Sequence, residues 1–103
     1  MFLLRRPVEV REDGYVATYT PFMIQYNGKD VYAAFATAEM AMYFVRAGGL
    51  DKAYEAVALS QTDPAQLRDA DHALVLRSEV QVGRLLSGKI TGMGFARNLL
   101  RVR

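Results

Sequence analysis

Asn27-Gly28 lies between two apolar alternations, and it constrains the fold more tightly than any other stretch of these 103 residues. Asparagine and glycine both tolerate positive φ, which a two-residue hairpin turn requires. A turn at this point places Tyr26 opposite Lys29, Ile24 opposite Val31 and Phe22 opposite Ala33. Strand alternation then puts Phe22, Ile24, Val31, Ala33 and Phe35 on one face, which reads as core. The opposite face carries Met23, Gln25, Tyr32 and Ala34, and is less polar than a solvated sheet face usually is.

Asp13-Gly14 is a second hairpin signal and predicts Val10 facing Ala17 and Val8 facing Tyr19. Pro21 has no N–H to give to a ladder, so a bend or bulge is expected between 15–20 and 22–26. Residues 1–36 therefore read as a three-stranded antiparallel meander.

Thr37 is a good N-cap for a helix over 38–47. With Glu39 and Arg46 as its only charges, that helix is expected to be buried on more than one side. Gly48-Gly49 stops it. Asp51 then suits the cap of a second helix over 52–60, where Leu50, Ala53, Tyr54, Val57 and Ala58 match helical spacing. After the break at Ser60–Pro64, two more helices are expected, over about 64–76 and 79–87. Ser78 with Gln81 forms a capping pattern for the latter, and Gly88 ends it. Met93 to about Arg101 reads as a short basic helix.

The fold class expected is α+β: an N-terminal three-stranded antiparallel meander packed against three to five helices, with a basic C-terminal helix. One domain is expected over 1–103, divided into the meander (1–36), a helical pair (37–60) and a helical C-terminal half (63–103).

Absence of cysteine removes disulfides, thiolate metal sites and thiol nucleophiles. A secretory signal needs basic residues followed by about 7–15 apolar ones. Here three apolar residues precede Arg5 and Arg6, so the order is reversed. No apolar run approaches the roughly 20 residues of a membrane span. The expected compartment is the cytoplasm, with no membrane partner.

Catalytic patterns are weak. Gly83–Lys89 matches G-x-x-x-x-G-K, but Ile90 stands where a P-loop needs a hydroxyl for Mg²⁺. Gly92-Met-Gly94 ahead of Arg97 reads as a chain reversal before it reads as an anion site. His72, the only histidine, has Asp69 and Asp71 nearby but no second histidine or cysteine to complete a zinc set. No serine sits in a G-x-S-x-G elbow. The chain is not expected to be an enzyme, and no metal or cofactor is expected.

Six tyrosines without a tryptophan, together with Met23, Met40 and Met42, supply the amphipathic and adaptable surface typical of protein interfaces. The candidate interface residues are Met23, Gln25, Tyr32 and Tyr43. Charge is polarised along the chain. Residues 1–79 hold eight basic and eleven acidic side chains, a formal −3, while residues 80–103 hold five basic side chains and no acid. Arg84, Lys89, Arg97, Arg101 and Arg103 are thus the candidate contacts for an anion or nucleic acid.

Val31–Ala41, following Asn27-Gly28, resembles the last strand and helix start of AP2-type DNA-binding domains over about fifteen residues. That likeness implies a sheet face turned to DNA. In this chain Met23, Gln25, Tyr32 and Ala34 replace the arginines and tryptophan those domains use, and no family is assigned. The leading expectation is a small non-catalytic regulatory module acting through protein–protein contacts, with a second copy of itself as one candidate partner. The alternative is a nucleic-acid binder using the basic segment, and a small enzyme or ligand carrier is more remote.

Overall fold

The computed structural model describes residues 1–62, 66–88 and 97–102. They form one mixed sheet of seven strands with two α-helices on one face. The strands are β1 (Phe2–Val10), β2 (Val16–Pro21), β3 (Met23–Tyr26), β4 (Lys29–Phe35), β5 (Glu55–Ala58), β6 (His72–Leu76) and β7 (Leu99–Arg101). The helices are α1 (Ala38–Ala47) and α2 (Glu79–Leu86).

The Asn27-Gly28 hairpin forms in the expected register, with Ile24 opposite Val31 and Tyr26 opposite Lys29. Both turn residues take positive φ, 50° at Asn27 and 78° at Gly28. Asp13-Gly14 turns the chain through a longer loop. The Arg11 N–H donates to the Tyr15 carbonyl at 2.8 Å, and Asp13 Oδ1 accepts from the Tyr15 N–H at 3.0 Å. Val10 consequently lies opposite Val16 instead of Ala17, with register shifts on either side of Glu9.

Pro21 and Phe22 mark a fork. One edge of β1 pairs with β4 at Phe2 and Leu3 and then with β2 from Arg5 to Val10. The Phe22 N–H donates to the Leu4 carbonyl at 2.9 Å. Beyond it, β3 leaves β1 and pairs with β4. The proline thus falls where the chain changes neighbours and an unbroken ladder is not needed. The other edge of β1 holds β5, with Leu3 opposite Val57 and Arg5 opposite Glu55.

The expected arrangement of a three-stranded meander against three to five helices does not form. The content is compatible with an α+β class, but the balance is mostly sheet. Residues 55–58 are a strand followed by a 3-10 turn over Leu59–Gln61, not a helix over 52–60. The capping signal at Asp51 is present, with Oδ1 accepting from the Ala53 N–H at 2.9 Å, yet no helix follows. Helical spacing and strand alternation both fit this stretch, and pairing with β1 selects the strand.

The expected helix over 64–76 is replaced at 72–76 by β6, which runs parallel to β4 with Ala34 opposite Val75. Its unbroken apolar run is that of a strand covered on both faces. The basic C-terminal helix is replaced at 99–101 by β7, antiparallel to β6. The expected start of that helix, Met93–Ala96, lies outside the described residues, as do Asp63 and Pro64 at the break before the 64–76 helix.

Both α-helices begin as expected. Thr37 caps α1 by accepting from the Met40 N–H at 3.1 Å. Ser78 caps α2 by accepting from Gln81, whose own Oε1 accepts from the Arg77 N–H at 2.6 Å. Leu4, Val31, Phe35, Leu74 and Leu76 of the sheet pack against Ala41, Phe44 and Val45 of α1 and Val82 of α2. The other face has its own smaller core, in which Leu3, Tyr32, Ala34, Ala73 and Val75 lie beneath Leu67 and Ala70.

Candidate functional site

On the face opposite α1 and α2, a groove of about 320 Å³ runs over β1. Leu3, Val57 and Leu67 give it an apolar base, while Tyr15–Tyr19 of the β1–β2 hairpin and Gln66–Asp69 line it from other parts of the chain. The volume lies at the lower end of the range for small-molecule sites.

Alternation along β1 explains how a charge enters this groove. Leu3 packs into the core opposite α1 and α2 and Leu4 into the core beneath them, so Arg5 follows Leu3 onto the face opposite the two α-helices. Its guanidinium carbon lies 3.8 Å from the centre of the Tyr19 ring, and its Nε donates to Glu55 Oε1 at 2.9 Å. An aromatic plane and a cross-strand carboxylate therefore hold the side chain, which is 24% exposed. Asp69 is placed through its backbone, whose N–H donates to the Tyr32 hydroxyl at 3.0 Å.

A second feature is the β1–β2 hairpin. Beyond Arg5, β1 pairs among the described residues with β2 alone. This ribbon carries exposed Val8, Val10 and Tyr15. Among the described residues β2 pairs only with β1, and its sequence Val-Ala-Thr-Tyr-Thr-Pro contains no charge.

The four candidate interface residues do not form one patch. Met23 and Gln25 lie on the face of β3 opposite α1 and α2, half-buried and exposed respectively. Tyr32 shares that face but is completely buried within the chain. Tyr43 projects from α1 on the opposite side, 50% exposed, and borders a shallow hollow with Glu79 and Val80.

Of the basic candidates, Arg84 is exposed in the last turn of α2, Arg97 is exposed just before β7, and Arg101 is exposed on β7 itself. Lys89 and Arg103 lie outside the described residues, as does the Gly92-Met-Gly94 stretch. Gly83 of the near-miss P-loop lies inside α2, so residues 83–86 of that motif are helix and not loop. Among the described residues no three histidine or acidic side chains gather as a metal site. The N-termini of α1 and α2 carry Glu39 and Glu79 in their first turns, which disfavours an anion at either.

Sequence reading missed Arg5, Tyr19 and Asp69 as groove residues. The only signal was the inward and outward alternation of Leu3, Leu4 and Arg5, which is too short to stand alone.

Fold and groove together define a small mixed-sheet domain with helices on one face and an open cleft on the other. The chain matches no protein-family model, no curated protein and no solved structure.

Proposed function

We propose that this protein is a small non-catalytic binding module that works through protein–protein contacts, and that its first partner is a second copy of itself joined along β2. The observation carrying this reading is the uncharged six-residue edge of β2 on a ribbon that also exposes Val8, Val10 and Tyr15. Edge strands that stay unpaired are usually shortened, charged or covered. The other strands with a free edge are shorter, and β5 and β7 carry Glu55 and Arg101.

A two-fold contact brings the same strand against itself, so any charge on it would sit near its own copy and repel. β2 has none to repel. Cytoplasmic location belongs to the same reading and rests on the absence of cysteine; no helix among the described residues is long and apolar enough to cross a membrane.

The nucleic-acid alternative draws less support. Stacking on bases needs free aromatic faces, yet Tyr15, Tyr19 and Tyr54 each carry an arginine of the same chain at 5.1, 3.8 and 5.8 Å from the ring centre.

Light scattering tests the proposal. The wild-type protein is expected at twice its chain mass of 11.5 kDa. Ala17→Lys, at an exposed position on β2, is expected to give a folded monomer. A wild-type monomer, or a dimer indifferent to Ala17→Lys, overturns the β2 reading.

A further inference from the structure

We propose that the groove binds a small zwitterion with an apolar body: an amino acid or a short peptide with aliphatic side chains. The proposal goes beyond self-association; it shares Tyr19 of β2 with that reading, but its charged groups, Arg5 and Asp69, lie outside β2.

Arg5 supplies the anion-binding half. Tyr19 and Glu55 fix the guanidinium, but the Glu55 contact uses only Nε. The two Nη groups keep their N–H donors without an acceptor among the described residues, and neither is a buried orphan. That leaves the end-on fork, the geometry that takes both oxygens of a carboxylate. Because its orientation is already set, little side-chain freedom is lost on binding.

Asp69 supplies the cation-binding half. It lines the same groove, its backbone is tied to Tyr32, and its exposed carboxylate has no partner among the described residues. A lone anionic ligand would be drawn by Arg5 and by Arg68, which lines the same groove, and repelled by Asp69. A lone cation would meet the reverse. A ligand carrying both charges satisfies both sides, and its aliphatic portion can cover Leu3, Val57 and Leu67.

Amide-resolved NMR titration of the full chain with L-leucine and with leucyl-leucine separates the two sources of this chemistry. Shifts confined to Leu3, Thr18, Tyr19 and Leu67–Asp69 are expected with at least one of them. Leucinamide lacks the carboxylate and N-acetyl-leucine lacks the ammonium; each is expected to bind about tenfold more weakly, roughly the loss of one charge-assisted hydrogen bond.

Asp69→Asn leaves the backbone contact with Tyr32 in place, and is expected to weaken leucine while leaving N-acetyl-leucine unchanged. Arg5→Gln is expected to weaken leucine while leaving leucinamide unchanged. If neither zwitterion moves the groove amides, or both blocked ligands bind as well as the parent, the proposal is overturned. Because none of these outcomes reports chain mass, failure here is distinct from failure of the β2 contact.

Discussion

The hydroxyl of Tyr32, a residue with no exposed surface, accepts the backbone N–H of Asp69 at 3.0 Å. One buried side chain of β4 thereby anchors the segment that lines the groove. Tyr32→Phe keeps the ring packed and removes the acceptor. Asp69 is exposed, so its N–H can turn to water and the expected cost is about 1 kcal/mol. Hydrogen exchange at the Asp69 amide is expected to accelerate more than exchange in β4. Equal acceleration at both would show that the bond does not hold the segment independently.

Gly48, which follows α1, has φ −84°, so its backbone is not strained and the reason for glycine is space. A Cβ there would lie 2.8 Å from Leu50 Cδ1, 2.9 Å from the Phe44 carbonyl oxygen and 3.3 Å from Leu86 Cδ2. The carbonyl belongs to the helix backbone and cannot swing aside as a side chain can. Gly48→Ala is expected to cost about 1–3 kcal/mol, as overpacking does. Urea denaturation reads this as a lower midpoint with an unchanged slope. A midpoint equal to the wild type would mean that the end of α1 shifts freely.

The basic segment has its own test. With Arg84, Arg97 and Arg101 changed together to Ala, light scattering is expected to report the wild-type mass, because β2 lies at the opposite end of the strand order from β7. Binding to single-stranded DNA is expected to be weak in the parent protein. Tight binding that falls steeply with salt, and that disappears in the triple variant, would favour the nucleic-acid reading.

The elements legible in the sequence are those whose cause is local. Asn27-Gly28 sets its register through the φ of two adjacent residues, and Thr37 and Ser78 declare their helices through hydrogen bonds three residues long. β5 and β6 were misread for the opposite reason. Val57 becomes part of a strand because Leu3 lies beside it, and Val75 because Ala34 does. Neither partner is near in sequence, and apolar runs this short fit a helix equally well. The groove was invisible on the same ground, since it assembles β1, the β1–β2 hairpin, β5 and residues 66–69.

β1 takes three partners, β2 and β4 along one edge and β5 along the other. A chain made from its N-terminus produces this strand before any of its partners, and the last of them, Glu55–Ala58, emerges much later. Until then one edge of Phe2–Arg5 stays open in a nascent chain, with Leu3 and Leu4 unable to finish either core. Folding must therefore wait for contacts distant in sequence, which predisposes the domain to slow folding compared with a helical chain of equal length. During synthesis, the vulnerable part of this domain is the open edge of β1.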